Sequence, residues 1–328
     1  LYRPKNVPIL KNLISSLTIL NRLDEALEAC KEILSINSDD AETINMMGTI
    51  YEKKGYYDQA KTKFLRALEL DENLVQAKIN IATLYQLEGN EDKADQIYND
   101  LAKEQKGNPE VLFRRSTLAF KQENFQEGWR YFENRWKAFP LNKTIWPIQN
   151  KTLWKGEKGG RVVLWKEQGI GDQIILLSLV PEVQEMCGSV SVYVDPRLHS
   201  LCKRTMPETN FISDENALKR EIFDYHLPLG SVPGLVRNDI SDFDRTVLGY
   251  FKANPSRVDS IRKELQLDGK TVIGISWKSF KSLNQTKKSV QLRDMERIFS
   301  GLDVVLLNLQ YGDVDEEIRE FKEATGID

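Results

Sequence analysis

The chain has 328 residues, enough for two or three domains rather than one core. Hydrophobic residues make up 41% and charged residues 29%, as in a soluble globular protein, and a net charge of −3 argues against nucleic acid as the main ligand. Three scattered cysteines without a CxxC pair and only two histidines exclude a disulfide framework and a structural zinc site, and no apolar run approaches the roughly 18 residues of a membrane span. Reduced thiols in a cytoplasmic protein are therefore expected, with no metal and no integral membrane segment.

The first 140 residues repeat with a period of 34. Ala26, Ala60, Ala94 and Gly128 share one register; Cys30, Phe64, Tyr98 and Phe132 share another; Ile14, Gly48, Ala82 and Ser116 a third. Small residues recur where helices cross closely and large ones where the groove between them is filled. The unit AETINMMGTIYEKKGYYDQAKTKFLRALELDENL, residues 41–74, carries Gly48, Tyr51, Gly55, Ala60, Phe64 and Ala67 at the positions of the tetratricopeptide consensus. The segment thus resembles a tetratricopeptide array of about four helix pairs stacked as a solenoid. Such an array serves either as a concave surface for a protein partner or as a stalk. The fourth unit, NFQEGWRYFENRWKAF, departs from the others by placing Arg135 where they have Ile33, Ala67 and Leu101. A charge at a packing position beside Trp129, Phe132 and Trp136 predicts that the solenoid ends here against the next domain.

Residues 141–160, with Pro147, Gly156, Gly159 and Gly160, read as a connector. Short apolar runs then alternate with helical ones. Strands are expected at 161–166, 189–194, 210–213 and 223–227, with a long helix at 173–187 and a shorter one near 197–204. Helices at about 244–252 and 256–266 follow, and the rhythm starts again with a strand in TVIGISW (271–277), a helix near 291–299, a strand at 303–309 and a helix at 314–325. This alternation predicts parallel sheets built from βαβ units. Two strands in the last segment leave open apolar edges, so the protein is expected to continue past Asp328.

The stretches GWRYFENRW, WKGE, KEQGIGDQ, FDYHLPLGSVP, IGISWKS and LNLQYGD, met in this order, resemble the tetratricopeptide glycosyltransferases whose catalytic part is similar to lipopolysaccharide heptosyltransferases. The resemblance implies an α-solenoid followed by the GT-B architecture, two Rossmann-like α/β domains across a cleft. Its expected boundaries are a solenoid at 1–140, a connector at 141–160, an acceptor-side domain at 161–267 and the start of a nucleotide-sugar domain at 268–328. It implies transfer of a sugar from a nucleotide-sugar donor to a protein or glycan acceptor recruited by the repeats, without a metal or other cofactor.

Two chemical demands follow: a base for the acceptor hydroxyl and stabilisation of the leaving diphosphate. The family's proposed base maps onto Asp172; read by itself, Asp172 serves equally as a helix N-cap. Glu167 is a second candidate acid or base, or a solvated strand end. A carboxylate at the helix start repels phosphate, so KEQGIGDQ marks the acceptor side, with Gln168, Gly169, Gly171, Gly230 and Ser231 expected around it, and His226 either there or packed at the strand end. The donor is expected near Trp277, Lys278, Ser279, Lys287, Lys288, Ser289 and Gln310, past the strand of the second domain; read by itself, the lysine-bearing stretch is equally a solvated basic loop. A non-catalytic scaffold and an S-adenosylmethionine methyltransferase remain alternatives; the latter lacks the third glycine its turn normally carries.

Overall fold

The computed structural model of the chain describes residues 6–138, 151–245, 249–267, 269–279 and 289–326. They divide into two compact units, one of residues 33–253 and one of residues 1–32 with 254–328.

The N-terminal part is an α-solenoid. Helices α1 (Val7–Ile19) and α2 (Leu23–Leu34) open the chain; in the unit of residues 33–253, α3 (Ala41–Lys53), α4 (Tyr57–Leu70), α5 (Val75–Leu87), α6 (Glu91–Glu104), α7 (Pro109–Lys121) and α8 (Phe125–Phe132) form three pairs, followed by α9 (Arg135–Ala138). The starts are written locally. Asp40 accepts the Thr43 N–H, and Asn90, Asn108 and Asn124 cap α6, α7 and α8 in the same way. The turns inside the pairs share one conformation at one spacing, since Asn21, Gly55, Gly89 and Glu123 all have positive φ. The crossing points are as tight as the repeat register implies. A Cβ on Gly48 would lie 2.4 Å from the Phe64 ring, and one on Gly128 2.4 Å from the Phe120 ring. The register positions Ala60, Phe64, Ala94, Tyr98, Ala82 and Ser116 are all buried.

A five-stranded parallel sheet lies in the same unit, made of β1 (Thr152–Leu153), β2 (Arg161–Trp165), β3 (Ser189–Tyr193), β4 (Asn210–Ile212) and β5 (Tyr225–Pro228) in the order β1-β5-β2-β3-β4. Strand β2 is central and apolar on both faces. Val162 and Leu164 join the main core with Val183, Val192, Leu198 and Leu229, while Val163 packs with Ile212, Leu218 and Phe223. The connecting helices are α10 (Ile170–Leu176), α11 (Val180–Met186), α12 (Pro196–Thr205), α13 (Glu215–Arg220) and α14 (Pro233–Val236).

Several expectations are corrected. The long helix expected at 173–187 begins at Ile170 and is broken by a 3₁₀ turn, Leu177–Leu179, just before Pro181, which cannot donate a helical hydrogen bond. Residues 240–245 form a 3₁₀ turn and Gly249–Ala253 carry no helix, against the helix expected at 244–252. The connector 141–160 contains strand β1, and residues 215–220 form α13 where no element was expected.

In the other unit, α15 (Pro255–Glu264) precedes two parallel strands, β6 (Val272–Ile275) and β7 (Val305–Asn308), with α16 (Glu296–Phe299) between them and α17 (Asp315–Thr325) after them. Ile275, Trp277, Leu292, Phe299, Val314 and Phe321 form its core. Among the described residues no helix is long and apolar enough to cross a membrane.

Candidate functional site

In an open α/β sheet, ligands bind beyond the C-terminal ends of the strands, where the strand order reverses. Here the chain leaves β2 towards β3 and β4, then returns to the other side of β2 with β5. The loops that diverge at this point are Lys166–Gly169 after β2 and Leu229–Ser231 after β5, the two stretches the sequence singles out.

Glu167 does not face solvent. Its side chain is 4% exposed and accepts both Arg135 Nε–H (3.0 Å, at Oε2) and Arg135 Nη2–H (2.8 Å, at Oε1); Oε1 also accepts the Gly230 N–H at 2.9 Å. Burial pushes the Glu167 carboxyl up from its ordinary value, against the Arg135 guanidinium and the Gly230 N–H, which pull it down. Arg135 is 5% exposed and continues to Ser231 Oγ (2.7 Å), Glu133 Oε1 (2.9 Å) and the Phe132 carbonyl (3.4 Å). Glu167, Gly230 and Ser231, expected to meet an acceptor, are thus joined to the last repeat instead. A Cβ on Gly230 would lie 2.3 Å from Glu167 Oε1, which explains the glycine.

The aromatic residues of the fourth unit complete this joint. Trp129 donates its indole N–H to the Arg237 carbonyl at 2.6 Å, and Arg237 forms a bidentate pair with Glu182. The rings of Trp136 and Trp165 are 5.7 Å apart, and those of Phe125 and Phe243 4.7 Å. The charge at the packing position of the repeat therefore meets its partner in the sheet.

Of the two readings of His226, acceptor-side or packed strand-end histidine, the structure shows the packed one. It is 0% exposed, accepts the Trp165 indole N–H at Nδ1 (3.0 Å), and its Nε2 donates to the Lys151 carbonyl (3.2 Å). Burial holds the imidazole below its ordinary value, so the ring is neutral at pH 7.

Asp172 is different. It lies at the third position of α10, exposed, and its Oδ2 accepts the N–H of the N-cap residue Gly169 at 3.1 Å. It therefore accepts the N–H of the N-cap residue from the third helical position rather than being the N-cap itself. Gly171 is beside it, with nothing within 4 Å of where its Cβ would stand. Gln173, absent from the expected site residues, is buried. Its Nε2 donates to the Gln168 carbonyl (3.1 Å) and its Oε1 accepts the Asp195 N–H (2.9 Å), tying the β2 loop to the end of β3. A polar residue one position past a helix-start acid was the available signal.

In the other unit Gln310 is also a buried link. Its Oε1 accepts from Ser276 Oγ and the N–H groups of Trp277 and Lys278, and its Nε2 donates to the Lys278 carbonyl. Trp277 belongs to the core, Lys278 Nζ pairs with Glu317 at 3.1 Å, and Ser289 Oγ accepts the Ser279 N–H. Lys278 and Ser289 line a cavity of about 980 Å³ whose other charged walls are Arg293, Asp313, Glu316, Glu317 and Glu320. Four carboxylates against two cations make its described wall acidic, and the one expected lysine there is already neutralised. Lys287 and Lys288 lie outside the described residues.

Among the described residues no group of three His, Cys, Asp or Glu side chains could hold a metal ion. The three cysteines are free thiols.

A family model described as tetratricopeptide repeat matches residues 41–74. The chain is 28% identical over 352 residues to Protein FlbA of Caulobacter vibrioides, an alignment taking in 100% of this chain and 59% of that protein. It thus spans about three-fifths of the length of this curated relative. Among solved structures it is similar to MamA, at 18% identity and a TM-score of 0.33 over 44% of this chain and 80% of the other. It is also similar to Pseudomonas aeruginosa pilF, at 22% identity and a TM-score of 0.33 over 42% of this chain and 62% of the other. The N-terminal part of the chain is a tetratricopeptide repeat region, a type of array that suggests a protein-binding scaffold.

Proposed function

We propose that the chain is the repeat-bearing, acceptor-side part of a cytoplasmic glycosyltransferase that moves a sugar from a nucleotide-sugar donor to a protein or glycan held by the repeats. Asp172 serves as the general base. The supporting observation is the contrast between its two carboxylates: Glu167 is consumed by Arg135 and Gly230, whereas Asp172 stays exposed near the C-terminal end of the central strand, where its Oδ2 accepts the Gly169 N–H. In this reading Asp172 takes the proton from the acceptor hydroxyl as that oxygen attacks the anomeric carbon, and the nucleoside diphosphate departs. The glycine at 171 leaves room for an acceptor to approach. The donor belongs with the second α/β segment.

A second reading, a non-catalytic scaffold, draws on another observation: the crevice where the strand order reverses is filled by the Arg135 side chain, and the described wall of the large cavity is acidic. One experiment on the full-length natural protein separates the two. Titration calorimetry with a panel of nucleotide sugars, beside S-adenosylmethionine as a control, is followed by transfer assays on wild type and Asp172→Asn. The expected outcome is donor binding by both proteins and transfer about 10²–10⁴-fold slower in the variant. Full transfer by Asp172→Asn removes the base assignment, and absence of any nucleotide-sugar binding favours the scaffold.

A further inference from the structure

The guanidinium of Arg135 is saturated. An arginine side chain has five N–H donors, and five acceptor contacts receive them: both oxygens of Glu167, Ser231 Oγ, Glu133 Oε1 and the Phe132 carbonyl. Its flat faces are covered as well, with its carbon centre 4.4 Å from the Phe132 ring centroid and 4.6 Å from that of Trp136. A lysine could supply neither the fork nor the planar contact. The site so formed spans the last repeat and both loops at the strand-order reversal.

From there the connections run to Asp172 without slack. Glu167 Oε1, held by Arg135, also fixes the Gly230 N–H. The next residue, Gln168, is held through its carbonyl by Gln173 Nε2, and Gln173 in turn holds the Asp195 N–H. The residue after that, Gly169, gives its N–H to Asp172. No residue between Glu167 and Gly169 lacks a bond to a buried or capping group. If Arg135 is removed, Glu167 is left buried without its cationic partner, with the Gly230 N–H as its remaining donor here, and it must either take up a proton or turn outward to water. Either response pulls on the backbone that carries the Asp172 cap.

We infer that Arg135 is a positioning residue: the last repeat sets the geometry of the Asp172 loop through the Arg135–Glu167 fork. As far as transfer is concerned this rests on the glycosyltransferase reading, but the positioning itself does not. The repeat array is then a structural part of the site, and changes in the fourth unit reach the loop through one side chain.

The test compares wild type, Arg135→Lys and Arg135→Ala in the full-length protein by amide hydrogen exchange. Arg135→Ala is also measured with millimolar guanidinium chloride, far below denaturing concentrations, and with ammonium chloride as a control. Exchange at Gly169, Gly230 and Asp195 is expected to rise at least tenfold in Arg135→Ala, while Val192 and Phe211 in the adjoining strands change little. Guanidinium restores protection and ammonium does not; Arg135→Lys shows the same local rise, smaller in size. A uniform rise that includes Val192 and Phe211, or unchanged exchange at the loop amides, overturns the inference. Where Arg135→Ala does not fold, the pattern in Arg135→Lys decides. Exchange is read without any sugar, so absence of transfer in wild type refutes the glycosyltransferase reading alone. Where transfer is present, kcat falls in Arg135→Lys with the donor KM unchanged.

Discussion

Two glycines near the candidate site should respond to the same substitution in opposite ways. At Gly230 an added methyl would stand 2.3 Å from Glu167 Oε1, 3.1 Å from its Cδ and 3.2 Å from Gln168 Nε2. The carboxylate cannot withdraw, because both oxygens are bound to Arg135. Either the Gly230 backbone moves, losing its N–H bond to Glu167, or the ion pair opens. Overpacking of a dry site costs about 1–3 kcal/mol, and a weakened hydrogen bond to a charged group a further ~1.5–3 kcal/mol. These overlap, so about 3 kcal/mol is expected for Gly230→Ala. Gly171 is inside α10 with nothing within 4 Å of the new methyl. There alanine is the better helix former and should stabilise by about 0.5–1 kcal/mol. Urea unfolding followed by far-ultraviolet circular dichroism should move the midpoint of the two variants in opposite directions. A Gly230→Ala midpoint equal to that of wild type would mean that the crevice is not closed as described. A fall in both variants would mean that the β2 loop tolerates no change for reasons other than this contact.

Glu123 is a side-chain-bearing residue in the left-handed turn that Gly89 and Gly55 occupy one and two repeats earlier, with φ of 59°. That conformation costs about 1–2 kcal/mol, of which glycine's extra freedom in the unfolded chain takes back about 0.5–1 kcal/mol. Glu123→Gly should therefore raise stability by about 0.5–1 kcal/mol in thermal unfolding. His226 is held neutral by burial, below its ordinary value of 6.5, against the opposing pull of its hydrogen bond to the Lys151 carbonyl. Its contribution is complete above pH 6.5 and is lost as the pH falls below it, because the unfolded chain then binds the extra proton. Denaturant midpoints measured between pH 8 and pH 5 should decline below pH 6.5, and His226→Gln should lose that part of the slope even though it starts less stable.

The repeats were legible because their packing is local and periodic. A tight crossing at Gly48 forces a small residue, and the same geometry recurs every 34 positions. The anomaly at Arg135 was legible for the same reason, since a charge stands out against three apolar equivalents. Its partner was not. Glu167 at a strand end reads as solvated or catalytic until the fold brings Arg135 to it from 32 residues earlier. The same holds for His226, whose neighbours Trp165 and Lys151 are distant in sequence, and for Gln173 and Gln310, polar residues buried by loops rather than by their own helix or strand. The break near Pro181 could be read locally, but the apolar run around it masked the missing donor.

The joint confines its requirements to one unit of the array. Trp129, Arg135 and Trp136 all belong to the fourth unit, and the groups that meet them around the sheet (the Glu167 and Trp165 side chains and the Arg237 carbonyl) are indifferent to how many pairs precede it. Each pair of a solenoid sees only its neighbours. Duplication or loss of a whole 34-residue unit upstream can therefore lengthen, shorten or re-specify the partner surface while the sheet keeps its anchor. Related chains can diverge in repeat number while sharing one terminal unit, and the terminal unit is the one part that cannot be exchanged for its neighbours.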